Sequence, residues 1–448
     1  MDVSDGVTAR LARFITDTRF EDLPAAVRHE ATRTLINWIG CAIGGARHET
    51  VAKAIDALAP FFGPPQTTLF GRSERVDLLH AALLNGISSH VLDFDDTHIE
   101  TAIHPAAPVA PAILALAEYA PVGGRDFMAA LVVGIETEFR IGIAVTPAHY
   151  RAGWHITGTA GVFGSAAAAG KLLGLSEQQM CFALGLAAAQ PVGLQEMFGS
   201  MTKSFHPGRA AQNGLTAALL ARAGYTSSER ALEAECGWLK VLSSTHDSAA
   251  ITAPATEWEI LNNSYKPFAC GLVVHPAIDG CIRLRNQHGL TAEMIDRIEL
   301  AVHPRVMDVT AIAEPATGLA GKFSVYHAAA VAIAEGAAGE REFSDQIVRA
   351  PRIAQLRRRV AVAIDPGLGK AQARVAILLK NGERHAVFVE HAVGSVQNPM
   401  SDRMIEDKFR GLAEGILPAG QADKILDLCR SADKLADAGD IARGARGT

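Results

Sequence analysis

Apolar residues recur at intervals of three and four through most of the first half of the chain. In "DLPAAVRHEATRTLINWIGCAIGG", Val27, Ala31, Leu35, Trp38, Ile39 and Ala42 fall on one helical face. Asp22 and Pro24 stand where such a helix begins, with Asp22 as a candidate cap, and Gly44-Gly45 stand where it stops. "DLLHAALLNGISSHVLDF", "HPAAPVAPAILALAEYA", "GRDFMAALVVGIETEFRIGIAV" and "RAAQNGLTAALLARAGY" repeat the pattern. In "SEQQMCFALGLAAAQ", Ser176 and Gln179 have the spacing of a capping box.

After about residue 265 the period shortens to two. "RIELAVHP" alternates Ile298, Leu300 and Val302 with Glu299 and His303, and "RVAVAID" does so with Val360, Val362 and Ile364. "ARVAILLKNGERHAVFVE" holds two strand-like runs joined at Asn381-Gly382, a strong hairpin signal. "KFSVYHAAAVAIAEG" returns to helical spacing between the first two strands. Ser401 is a candidate N-cap for the final helical stretch, "DRMIEDKFRGLAEGIL". The pattern predicts a mainly α fold. Residues 1–265 and 396–448 would build a large all-helical domain, and residues 266–395 a smaller α+β domain.

Composition narrows the function. The chain has 448 residues, 49% hydrophobic and 20% charged, with a formal net charge of −6. That balance gives no global attraction to nucleic acid or an anionic membrane surface. No secretory leader and no apolar run of about 18–20 residues is visible, so a cytoplasmic protein without a membrane span is expected. The six cysteines (Cys41, Cys181, Cys236, Cys270, Cys281 and Cys429) form no CxxC pair. They are expected to be buried thiols, not zinc ligands or a disulfide framework.

Titratable residues concentrate in "HVLDFDDTHIETAIHP", residues 90–105. Asp93, Asp95, Asp96, His98 and His104 are ligand types for zinc, iron or manganese. Yet no HxH or HxxxH spacing occurs, and an extended "DFDD" would turn alternate carboxylates in opposite directions. No metal is therefore expected. The simplest role for Asp93 or Asp96 is to cap the next helix. The apolar flanks favour instead a loop at the mouth of a core, where carboxylates and imidazoles acquire perturbed pKa values.

Three further segments carry charge. "RAGWHITGTAGVFG" places His155 before a helix of small residues, where packing against Trp154 is the plain alternative to a functional role. "GSMTKSFHPGRAAQNG" gathers Lys203, His206 and Arg209 at a helix start, and fixed cations there suit a carboxylate. "YKPFACGLVVHPAIDG" carries Lys266 and His275 at the domain seam. "GSAAAAGKLL" is not a phosphate-binding loop, because it has five residues between its glycines and Leu172 after the lysine. Acids and histidines in one segment and cations in others suit a small polycarboxylate. Cations would balance an enolate-like charge while His or Asp moves a proton.

"HVLDFDDTH…HPAAPVAPAILALAE", "GWHITGTAGVFGSAAAAGKLLGL", "MTKSFHPGRAAQNGLTAALLA", "YKPFACGLVVHPAIDG", "GKFSVYHAAAVA" and "NPMSDRMIEDKF" follow one another in this order. Together they resemble the MmgE/PrpD family, which includes 2-methylcitrate dehydratase, cis-aconitate decarboxylase and iminodisuccinate epimerase. The resemblance spans nearly the whole chain. It implies a helical domain with a smaller α+β lid, a homodimer, a site in the cleft between domains, and no metal or organic cofactor. By resemblance the site residues are Asp93, Thr97, His104, His155, Lys203 and Lys266. The chain also departs from the pattern. Thr97 to His104 is one residue longer than in the decarboxylase branch. Gly271 stands where that branch has histidine, although His275 is retained. His327, preceded by Tyr326, stands where a tyrosine is usual.

The expected function is a cofactor-independent, dehydratase-type lyase on a small di- or tricarboxylic acid. Asp93, His104, His155 and Lys203 would be catalytic. Thr97, Arg209, Lys266, His275, Tyr326 and His327 would bind substrate. An epimerase or isomerase of a small dicarboxylate and a cis-aconitate-type decarboxylase are the enzyme alternatives. A catalytically silent helical dimer is the non-enzyme one.

Overall fold

The computed structural model describes residues 6–254 and 257–447. The chain divides into two compact units, Met1–Asn263 with Ile405–Thr448, and Ser264–Met404. The fold is mainly α, with a smaller α+β part toward the C-terminus.

The first unit is a helical assembly. Its main elements are α1 (Ala25–Gly45), α2 (Leu78–His90), α3 (Ala106–Tyr119), α4 (Gly124–Val145), α5 (Ile156–Leu172), α6 (Glu177–Ala188) and α7 (Thr202–Arg222). Helix α5 is the axis. Every residue from Ile156 to Gly170 is buried, and α3, α4, α6 and α7 pack around it. A helix apolar on all sides belongs at the centre of a core. Ser176 and Gln179 form the predicted capping box at the start of α6. Asp22 does not cap α1. It lies in a preceding 3-10 turn and accepts from the Arg19 N–H at 2.8 Å, while the helix begins after Pro24.

Close approach of α7 to α2 sets up the site. A Cβ on Gly208 would lie 2.4 Å from the Leu83 carbonyl oxygen, and one on Gly86 would lie 2.6 Å from the Gly208 Cα. Only glycine permits this crossing. His90 follows Gly86 by one helical turn, and Lys203 and His206 lie in the first turns of α7. The crossing therefore joins residues that are distant in sequence.

The second unit holds a four-stranded sheet: β1 (Ile295–Val302), β2 (Val360–Ile364), β3 (Ala373–Leu379) and β4 (Arg384–Val389), in the order β2-β1-β3-β4. β1 and β2 are parallel, and the other pairs are antiparallel. A parallel pair needs a crossover; here it includes the helix Val325–Glu335. The β3–β4 hairpin turns at Asn381-Gly382, where Gly382 has φ +88°. Ile298, Leu300 and Val302 are buried, as their alternation requires.

Met404 N–H donates to Ser401 Oγ at 3.3 Å, at the head of the helix Asp402–Ala413. No described helix is long and apolar enough to cross a membrane. None of the six cysteines forms a disulfide. Five are buried, but Cys236 is exposed, contrary to the expectation for all six.

Candidate active site

The acidic loop after α2 is not extended. Asp93 has φ +52°, and its N–H bonds back to the His90 carbonyl at 3.0 Å. Positive φ is uncommon for a residue other than glycine, and aspartate is among the side chains that tolerate it. The turn removes the alternation expected for "DFDD" and lets Asp93 and Asp95 serve different partners. Neither Asp93 nor Asp96 caps the following helix; Pro105 occupies that position. Lys408 anchors the loop, donating to the Phe94 carbonyl at 2.6 Å and to Asn37 Oδ1 at 2.8 Å.

Asp95 is completely buried between two imidazoles. His90 Nδ1 lies 2.7 Å from Asp95 Oδ2, and His104 Nδ1 lies 3.3 Å from Asp95 Oδ1. His104 Nδ1 is also 2.9 Å from the Asp96 carbonyl oxygen. A carbonyl only accepts, so this ring nitrogen carries hydrogen. The His104 backbone N–H donates to Thr157 Oγ1 at 3.1 Å, and Thr97 Oγ1 lies 3.3 Å from Nδ1. Residues of the loop and the first turn of α5 thereby hold His104.

His155 occupies the N-cap position of α5. Its backbone N–H donates to Gly193 O at 3.0 Å, and its Nδ1 lies 2.9 Å from His206 Nδ1. The ring centroids of His90, His104 and His206 lie 5.9, 6.5 and 5.1 Å from that of His155. Phe198 meets the His155 ring edge-on at 5.0 Å and also lies 5.4 Å from Lys203 Nζ. Lys203 Nζ reaches Asp93 Oδ1 at 2.8 Å. Asp93, His104, His155 and Lys203 thus belong to one cluster with His90, Asp95 and His206.

Burial sets the charge pattern. It pushes His155 well below the usual imidazole range, and the neighbouring His90, Lys203, His104 and His206 would each resist a second positive charge there. Burial also lowers His90 and His206 to about 4, although Asp95 partly offsets it at His90. Burial would raise Asp95, but His90 and His104 hold it well below the ordinary carboxylate range. Asp96 goes the other way, to about 7, through burial and then the adjacent Asp95 charge, despite a hydrogen bond from Asn263. These directions favour neutral imidazoles at His90, His155 and His206 near neutral pH, beside an ionised Asp95.

His90, Asp95 and His104 offer ligand atoms within 4.8 Å of one another. Two ligands on a tetrahedral zinc, each about 2.0–2.1 Å from it, lie roughly 3.3 Å apart. The His90–Asp95 contact of 2.7 Å is a hydrogen bond instead. The hydrogen on His104 Nδ1 leaves Nε2 as the lone-pair nitrogen of that ring.

Arg209 is exposed on α7, with its guanidinium on Gln212. The remaining expected site residues belong to the second unit. There Lys266 is buried, and His275 lies with Nε2 3.3 Å from the Cys270 carbonyl. Tyr326 is half-buried. His327 is fully buried, with Nε2 3.0 Å from the Glu342 carbonyl and its ring edge-on to Phe343. Burial lowers it to about 4.

Sequence reasoning did not select His90 or His206 as site residues, and weighed Asp95 only as a metal ligand. Their signals are weak: His90 ends an apolar helix, and His206 stands in the first turns of another beside more conspicuous cations.

Models of the MmgE/PrpD N-terminal and C-terminal domains match residues 9–250 and 268–434. The chain belongs to the MmgE/PrpD family. Among curated relatives of this MmgE/PrpD protein is a cis-aconitate decarboxylase of Aspergillus terreus, 29% identical over 96% of this chain and 94% of the relative. The cis-aconitate decarboxylase-like protein oryM of Aspergillus oryzae is 28% identical over 97% and 96%. The human cis-aconitate decarboxylase is 25% identical over 96% and 92%.

Proposed function

We propose that this MmgE/PrpD protein is a lyase acting on a small di- or tricarboxylic acid. It works by proton transfer at a carbon next to a carboxylate and uses its own side chains, without a cofactor. The observation that carries this reading is the buried His155 in one cluster with Lys203 and His104. A neutral imidazole can accept a proton, and a lysine beside it stabilises the carbanion or enolate left behind.

In the dehydration we favour, His155 Nε2 takes the proton from the carbon. The C–H electron pair becomes the new C=C bond, and the β-hydroxyl leaves as water with a proton from His104. The Asp95 carboxylate, 3.3 Å from His104 Nδ1, compensates positive charge on that ring when it carries the second proton. Lys203, braced by Asp93, holds a substrate carboxylate. A second reading, decarboxylation, is favoured by the names of the relatives. There the C–CO2 bond breaks, and an imidazolium returns a proton to the resulting carbanion.

Incubation with hydroxylated and unsaturated di- and tricarboxylic acids, followed by proton NMR, tests the proposal. A new alkene with no carbon dioxide supports dehydration. Release of carbon dioxide selects the second reading. Exchange of the α-proton with no C–C or C–O bond broken would instead indicate an epimerase. No turnover of any acid contradicts the proposal.

A further inference from the structure

The proposed reaction requires His155 to present a lone pair at Nε2. Resting on that reading, we infer that His206 is the positioning residue that supplies it, by accepting the Nδ1 hydrogen of His155. The two Nδ1 atoms are 2.9 Å apart, a distance that accommodates one hydrogen, not two. Either His155 donates and keeps its lone pair at Nε2, or His206 donates and His155 Nε2 carries hydrogen. The first arrangement leaves His155 a base at Nε2, and the second leaves it only a hydrogen-bond donor there.

The base role proposed for His155 selects the first. Phe198 stands between His155 and Lys203, its ring 5.0 Å from the His155 ring and 5.4 Å from Lys203 Nζ. The pair is also clamped. Gly193, at φ +115°, passes so close that a Cβ there would lie 3.0 Å from His206 Cγ and Nδ1 and 3.2 Å from His155 Cβ. A Cβ on Gly158 would lie 3.2 Å from His206 Cβ. His206 is 3% exposed, so water is a poor substitute acceptor.

In turnover the substrate C–H bond breaks and the Nε2–H bond of His155 forms. The electron pair stays with the substrate carbon. The Nδ1 hydrogen remains on His155, and its bond to His206 strengthens as the ring becomes cationic. No second proton moves.

Nitrogen-15 NMR of histidine-labelled protein reads the tautomer without substrate, with His155→Gln used to assign the signal. The expected result is a neutral His155 with hydrogen on Nδ1. Hydrogen on Nε2 overturns the inference, whether or not a substrate has been found. With a substrate in hand, His206→Ala should lower kcat by about 10- to 100-fold, the scale of a misplaced catalytic group, with KM little changed. His206→Asn should recover most of the loss, because its amide oxygen accepts the same hydrogen. Full kcat in the alanine variant, or no rescue by folded asparagine protein, overturns the inference.

Discussion

Lys203 Nζ lies 2.8 Å from Asp93 Oδ1, across 110 residues of sequence. Asp93 meets the lysine from a left-handed backbone position at φ +52°. Such a conformation costs about 1–3 kcal/mol and persists where surrounding structure holds it. The pair joins the acidic loop to α7, and the account assigns it the task of fixing a cation next to His155. Lys203→Ala should lower kcat/KM by about two orders of magnitude or more, on the scale of a lost electrostatic group. Circular dichroism should report a folded protein. Wild-type rates in the folded variant would remove Lys203 from the mechanism.

The buried histidines predict an acid-sensitive fold. His90, His206 and His327 are each lowered to about 4 from an ordinary value of 6.5. Below pH 6.5 the unfolded chain binds protons that the native protein refuses. Their stabilising contribution is therefore present above pH 6.5 and lost as pH falls toward 4. Thermal melts across this window should show a falling Tm. A Tm that rises from pH 6.5 to 4 would contradict the neutral-imidazole pocket.

Asp96 carries the opposite sign. Its native pKa, raised to about 7 from 3.8, means that the folded protein binds the extra proton between those values. That contribution is complete below 3.8 and disappears as pH rises through 7. Asn at this position can still accept the Asn263 hydrogen bond but cannot ionise. Asp96→Asn should gain stability relative to wild type as pH rises from 5 to about 7 and hold that gain to pH 9, read as a Tm difference that widens and then levels. A constant difference would mean that Asp96 does not titrate in this range.

The α2–α7 crossing should be intolerant of a methyl group. In Gly208→Ala the new Cβ would meet the Leu83 carbonyl at 2.4 Å. Backbone cannot yield as a side-chain tip can, and overpacking of this kind costs about 1–3 kcal/mol. Denaturant melts should show that loss, and turnover should fall because His90 and His206 lie on opposite sides of the crossing. An unchanged midpoint and rate would show that the helices can separate freely.

Much of the fold was legible because period and punctuation agreed. The Asn381-Gly382 hairpin, the Ser176 capping box and the alternation at Ile298, Leu300 and Val302 all depend on local chemistry. Cys236 and Asp22 departed from expectation because exposure and capping depend on neighbours that local pattern does not specify. The acidic loop was recognised as a place, but not as a shape. One positive φ at Asp93 reverses the inference from an extended chain. His206 went unselected because its value lies in a contact with His155, 51 residues away. Gly86 and Gly208 bring the two supporting helices together, and no local period announces that pairing.

The most direct measurement follows deuterium in the reaction of wild-type and His155→Ala protein in heavy water, using an acid that the wild type turns over. The account predicts solvent-dependent hydrogen transfer at the carbon beside a carboxylate, with a rate at least about 100-fold lower in the folded variant. Transfer at the wild-type rate without the His155 imidazole would contradict it.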